Sequence, residues 1–255
     1  MEIYFNGVGE ACDPAQGNTS IHVTTSGPHR ILCDCGFTVP HAYFGFCDDP
    51  DELDLVWISH FHGDHFFGMP LFLLRLWEMR RTRPLSIIGQ PGVEEKVLAA
   101  LDLAFPRFQA KIGFAMLFRE LEPGDTYREG GIILQAVETD HSQRNLGVLI
   151  DDGEQRLYYS GDGRPTKAVT ELIRGCDIAV HEAFRMNAEV HHHGSISGCL
   201  QLAREAGVKS MALVHLERTF RSGRRKEIDA VLRENPQFLL PDKGDTLTLP
   251  LVPGA

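Results

Sequence analysis

Leu53-Asp54-Leu55-Val56-Trp57-Ile58-Ser59, followed directly by His60-Phe61-His62-Gly63-Asp64-His65, decides how the rest of the chain is read. The first half is a nearly unbroken apolar run of strand length, which suits a strand buried on both faces. The second half packs three histidines and an aspartate into six positions. With 12 histidines in 255 residues, an H-x-H-x-D-H arrangement arises by chance about two times in a thousand. If the strand continues through His62, the side chains of His60 and His62 share a side, because alternate strand residues face the same way. Gly63 permits a sharp turn, and Asp64 and His65 then open a helix whose N-terminal dipole favours a carboxylate. Imidazole and carboxylate together suit zinc, and manganese or iron as well.

Four donors in one turn do not close a site, so the remainder must come from elsewhere. Upstream, strands are expected at 3–7, 20–24 and 30–34. Downstream, a helix is expected over 69–81, a strand at 86–89 and a helix over 93–103. Strands follow at 114–118, 132–137, 146–151 and 156–160, separated by Pro123-Gly124-Asp125, Gly130-Gly131 and Asp151-Asp152-Gly153 turns. The pattern then alternates: helix 166–174, strand 178–181, helix 197–206, strand 210–214, helix 224–235 and a last strand at 246–249. Strands followed by alternating helices and strands, in each half, predict an α/β fold: a four-layer αββα sandwich of two mixed sheets, face to face, with helices outside. No repeat, low-complexity segment or long linker divides the chain, so residues 1–255 are expected to form one domain. Three ligand-type residues stand just past predicted strands, where layered α/β folds gather function: His141, Asp162 and His215.

Composition narrows the classes. With 43% apolar and 24% charged residues, 25 Gly and 14 Pro, the chain is globular rather than disordered or collagenous. No apolar run reaches membrane-spanning length, and residues 1–16 lack the basic-then-apolar pattern of a signal peptide, so a cytoplasmic protein is expected. The six cysteines form no C-x-x-C pair and read as free thiols. A formal net charge of −10 works against indiscriminate binding of long polyanions. The local exception is Arg218, Arg221, Arg224, Arg225 and Lys226, a candidate phosphate clamp or a solvated helix start. Phe61, Phe66 and Phe67, beside the histidine turn, could wall a base or an acyl group.

The order His60, His62, Asp64, His65, His141, Asp162, His215 resembles the metallo-β-lactamase-fold hydrolases. Within them, Ser59-His60-Phe61-His62-Gly63-Asp64-His65-Phe66-Phe67-Gly68-Met69-Pro70 resembles the ribonuclease Z-like branch, with the likeness running from Gly7-Val8-Gly9 through Asp34-Cys35-Gly36 to His215. The resemblance implies two divalent metal ions, zinc first, with manganese or iron as alternatives. His60, His62 and His141 would hold one, Asp64, His65 and His215 the other, and Asp162 would bridge. Two such cations can hold a water between them and lower its pKa toward neutrality, and they meet the charge that develops on phosphoryl oxygens.

By the same resemblance His181-Glu182-Ala183-Phe184 matches a His-Glu-Ala-Thr-type segment, and His193 in His191-His192-His193-Gly194-Ser195 is the helping histidine. Glu182 and His193 therefore join Asp64 as catalytic candidates, with His193 the general acid and Glu182 orienting it. His191 and His192 receive no role. The departures also inform. The arm that grips transfer RNA has no room in the 20 residues between His141 and Asp162, which are filled by two strands and a turn. The expected reaction is therefore hydrolysis of a small or nucleotide-derived phosphodiester. The alternatives are carboxylic ester, thioester or lactone hydrolysis on the same metals, a transfer RNA 3′ endonuclease, an iron redox protein, or a non-catalytic scaffold. A small-molecule partner is favoured over nucleic acid, no membrane is implied, and the likeness suggests a homodimer.

Overall fold

The computed structural model describes residues 1–251. The first half opens with β1 (Glu2–Gly7), β2 (Ser20–Thr24) and β3 (Arg30–Cys33), then α1 (Val39–Phe46), β4 (Leu55–Ile58), α2 (Gly63–Phe66), α3 (Met69–Glu78), β5 (Leu85–Gly89), α4 (Val93–Ala104) and β6 (Met116–Glu120). The second half holds β7 (Thr126–Glu129), β8 (Ile132–Glu138), β9 (Leu146–Asp151), β10 (Arg156–Tyr159), α5 (Lys167–Leu172), β11 (Ile178–Glu182), α6 (Ile196–Ala206), β12 (Ser210–Val214), α7 (Arg218–Gly223), α8 (Arg225–Glu234) and β13 (Phe238–Leu239). The last strand, β14 (Thr246–Thr248), returns to the first sheet beside β1.

Each sheet has seven strands, ordered β14-β1-β2-β3-β4-β5-β6 and β13-β12-β11-β10-β9-β8-β7. Both change from antiparallel to parallel pairing partway across, at β3–β4 and at β10–β11. The parallel strands are joined through helices, as parallel connections require. Three apolar clusters mark four layers. One fills the space between the sheets, with Ile3, Phe5, Ile31 and Trp57 from the first meeting Leu134, Val148, Tyr159 and Val180 from the second. A second packs α1, α3 and α4 on the outer face of the first sheet. The third packs α5, α6 and α8 on the outer face of the second. This is the expected αββα sandwich. No described helix is long and apolar enough to cross a membrane.

Four elements escape the periodicity. Helix α1 contains Pro40 and Gly45, which read as breakers, but the proline sits in the first turn, where its missing N–H is not needed. Strand β7 is a polar edge strand held by its ladder to β8 rather than by an apolar pattern. Helix α7 and strand β13 are too short to show a period.

The strand expected to run through His62 stops at Ile58. Ser59 leaves the ladder because its N–H and its hydroxyl both donate to the Asp34 carboxylate, at 2.7 Å each. Its carbonyl accepts from Leu146 of the opposite sheet at 3.0 Å. The turn is thus pulled off its own sheet and tied to the other.

Candidate metal centre

The site lies where loops from both sheets meet. His60 is fully buried, and His62 caps the single turn α2, which carries Asp64 and His65. One helical turn aligns few peptide dipoles, so the dipole invoked for Asp64 is minor. Side chains hold Asp64 instead: His215 Nε2 lies 3.3 Å and His65 Nε2 3.4 Å from its Oδ2. Burial alone would raise the Asp64 carboxyl pKa, yet these two rings hold it well below the usual carboxylate range.

The loops after β8, β10 and β12 deliver His141, Asp162 and His215 to the same place. Asp162 stands at the centre. Its Oδ1 is 3.2 Å from His65 Nε2, while its Oδ2 is 3.5 Å from His215, 3.9 Å from His141 and 4.0 Å from His60, all at Nε2. Donor atoms of His60, His62, His141 and Asp162 lie within 4.8 Å of one another, as do those of Asp64, His65, Asp162 and His215. Asp162 belongs to both sets.

Whether these residues suit a cation can be tested on the donors themselves. His60 Nε2, His65 Nε2 and Asp162 Oδ1 are buried without a hydrogen-bond partner, an arrangement that costs about 1–3 kcal/mol per group if nothing else meets them. Ligands around a tetrahedral ion with metal–nitrogen bonds near 2.05 Å stand about 3.4 Å apart, and the closest separations here match. Tautomers point the same way. His65 donates Nδ1–H to Asp34 at 2.7 Å and His141 donates Nδ1–H to the His192 carbonyl at 2.8 Å. Each then presents an Nε2 lone pair to the centre, as a metal ligand must.

The charges agree. Burial lowers the His60 pKa well below the ordinary imidazole value, with the neighbouring His65 adding to the shift, so His60 is a neutral donor. Burial lowers His62 as well, reinforced by His141. At His65 and His215 burial opposes a positive ring, but the adjoining carboxylates, Asp162 foremost, override it. His65 rises well above its usual value and His215 to about 9. Without a cation the carboxylates hold a proton on these rings; a divalent cation would displace it and free the Nε2 lone pairs as donors. The residues fit divalent metal ions.

Supporting residues were less visible. Asp34, read only as part of the Asp34-Cys35-Gly36 likeness, accepts hydrogen bonds from Ser59, His65 and Tyr159 while fully buried. Asn145, for which no sequence signal exists, accepts from the Asp162 backbone N–H at 3.1 Å and donates to Thr139 and to the Ser160 carbonyl. Gly161, at φ +57°, permits this close approach: a Cβ there would lie 2.4 Å from Asn145 Oδ1 and 2.6 Å from Ser59 Cβ.

Glu182, at the end of β11, is buried and bonds His193 Nδ1 through one oxygen and the Gly163 N–H through the other. The His193 ring stacks on Phe184 with centroids 4.6 Å apart and lies parallel to His215 at 6.1 Å. Burial works against a charged His193, but the hydrogen bond to Glu182 outweighs it and raises the pKa above the ordinary value. His192 is not idle: beyond its carbonyl bond to His141, its ring meets Asp140 at 2.9 Å.

Two expectations change. Of the proposed aromatic wall, Phe66 is core and Phe61 is half-buried beneath Lys96. Phe67 is 54% exposed, and it pairs edge-on at 5.9 Å with Phe37, 52% exposed, which sequence reading did not single out. Gly63 touches this pair: a Cβ there would lie 2.5 Å from the Phe37 ring. The arginine cluster is engaged rather than free. Arg218 bonds Glu10, Arg221 bonds Asp242, Arg224 bonds Glu227 and Arg225 bonds Asp229.

Comparison with known proteins fits this geometry. Ribonuclease Z of Methanosarcina acetivorans is 25% identical over 289 residues, covering 92% of each chain. Ribonuclease BN of Escherichia coli O6:K15:H31 is 29% identical over 246 residues, covering 76% of this chain and 80% of the relative. Human tRNase Z, short form, superposes with a TM-score of 0.81 at 18% identity, covering 98% of this chain and all of that one. The beta-lactamase superfamily domain matches residues 29–216, and with the two-sheet sandwich and its histidine–aspartate cluster this establishes that the chain belongs to that superfamily, as a metallo-β-lactamase-fold protein.

Proposed function

We propose that the protein is a phosphodiesterase that works with two divalent metal ions, zinc first among them, on a small or nucleotide-derived phosphodiester. The observation that carries this reading is the carboxylate of Asp162 standing between two donor sets. His60, His62 and His141 would hold one ion with it, and Asp64, His65 and His215 the other. When bound, such a pair polarises phosphoryl oxygens and lowers the pKa of a water toward neutrality. Asp34 fixes the tautomer of His65, and the Asn145–Thr139 pair fixes the loop of Asp162, so the donors are oriented in advance. Glu182 holds Nδ1 of His193, which leaves the Nε2 proton for the oxygen that departs. Together these are the parts an in-line displacement needs: donors for cations, a preorganised carboxylate and a proton source.

Substrate size is read from the chain beyond His141. The segment to Asp162 is occupied by β9, a turn and β10, and the paired arginines after His215 offer no bare cationic track. The alignment to the Methanosarcina relative spans more positions than this chain has residues, so the relative carries stretches that this chain lacks. The names of the relatives favour a second reading, cleavage of RNA.

Turnover of bis(p-nitrophenyl) phosphate by protein carrying two zinc ions per chain, abolished by chelator and restored by zinc, is the expected result. Its absence in fully loaded protein would overturn the reading. A kcat/KM for a transfer RNA precursor well above that for dinucleotides would select RNA, and faster hydrolysis of thioesters or lactones would change the bond.

A further inference from the structure

The loop carrying His193 has little apolar anchorage. Val190 is half-buried, His191 and His192 are exposed, and His192 takes the left-handed backbone conformation at φ +61°. A proton donor must nevertheless be held to within about an ångström of its target. Glu182 fixes the ring, but something must fix the backbone.

Arg164 does so. Its Nε donates to the His193 carbonyl at 3.1 Å, and its Nη2 donates to the carbonyls of Val190 at 2.7 Å and Ala188 at 3.4 Å. Among the described residues it forms no salt bridge, unlike the arginines after His215. The guanidinium is directed wholly at backbone oxygens of this loop. Its own backbone is equally constrained: two residues beyond Asp162, it pairs with Asp140 through reciprocal hydrogen bonds of 3.0 Å. Gly163 allows that approach, since a Cβ there would lie 2.7 Å from Thr139 Oγ1 and 2.8 Å from the Asp140 carbonyl. Asp140 in turn bonds the His192 ring, and His141 bonds the His192 carbonyl. Three loops, bearing His141, Asp162 and His193, are thereby joined at one residue.

We propose that Arg164 is a positioning residue that sets His193 against the metal-binding loops, an inference that rests on the hydrolase reading above. A planar fork is needed because three carbonyls of one loop must be held together, which a lysine ammonium cannot do with the same geometry.

The test uses zinc-loaded full-length protein and a series of methyl aryl phosphodiesters whose leaving groups run from p-nitrophenolate to unsubstituted phenolate. A good leaving group needs no proton, whereas a poor one does. His193→Ala should lose little on the nitrophenyl ester and about 100-fold on the phenyl ester. Arg164→Ala and Arg164→Lys should show the same slope with unchanged zinc content. In metal-free protein, amide exchange across residues 188–193 should accelerate in both variants while β8 to β11 stay protected. Rates falling equally for all leaving groups, or unchanged exchange in that loop, would overturn the role of Arg164 and leave the hydrolase reading standing. If Arg164→Ala does not fold, Arg164→Lys decides. No turnover of any ester by the loaded wild-type protein would overturn both.

Discussion

The carboxylate of Asp34 accepts a hydrogen bond from Nδ1 of His65 at 2.7 Å, and the same group receives the backbone N–H and hydroxyl of Ser59 and the hydroxyl of Tyr159. One buried anion therefore ends β4, orients a donor ring and ties the two sheets, from a backbone at φ +62° that an aspartate tolerates better than most residues. An amide cannot accept all four. Asp34→Asn is expected to weaken zinc binding about 10–100-fold, measured by competition with a chromophoric chelator. Unchanged affinity would show that Asp34 matters to folding alone.

Asp162 and His193 should fail differently. Asp162→Ala removes the group shared by both donor sets, so metal content and rate should fall together. His193 falls in a third donor set with Asp162, Glu182 and His215, but its Nδ1 is engaged by Glu182, so His193→Ala should keep its metal while losing rate on esters with poor leaving groups. Metal analysis beside kinetics checks both, and equal metal loss would move His193 from proton donor to ligand.

His22 reports on acid stability without involving the site. It is buried against Tyr43 and Phe46, its Nε2 has no partner, and burial lowers its pKa from 6.5 to about 4. The unfolded chain thus binds this proton more readily than the folded one. The contribution of neutral His22 is complete above pH 6.5 and is lost as pH falls toward 4, reaching about 3 kcal/mol. His22→Phe should unfold less steeply over that window in urea titrations at fixed pH. Identical slopes would show that His22 is hydrated in the folded state.

Phe37 and Phe67 stand exposed beside the histidine turn. If the substrate carries a nucleobase, a double Phe37→Ala, Phe67→Ala variant should raise KM for thymidine 5′-(p-nitrophenyl) phosphate about 10-fold. KM for methyl p-nitrophenyl phosphate should not move. Parallel changes in both would assign the rings to stability.

Much of this was legible in one dimension because the chemistry is local. His60, His62, Asp64 and His65 fall in six positions, and a strand of four buried residues leads into them. The alternation of strands and helices likewise announced two layers of sheet, since each element must bury one face. His141, Asp162 and His215 stood out as ligand types just past predicted strands, and Glu182 and His193 through likeness to a family, but the proximity of these five could not be read from spacing.

Tertiary structure alone decided what surrounds them. Ser59 leaves its strand because an anion 25 residues away outcompetes the ladder for its N–H. Asn145 and Arg164 look like ordinary polar loop residues until the loops converge. Arg218 and Arg221 look like part of an anion site until Glu10 and Asp242 arrive from distant segments. Sequence periodicity records which face of an element is buried. Hydrogen-bond partners between loops depend on where separate chain segments meet, and only the packing of the two sheets specifies that.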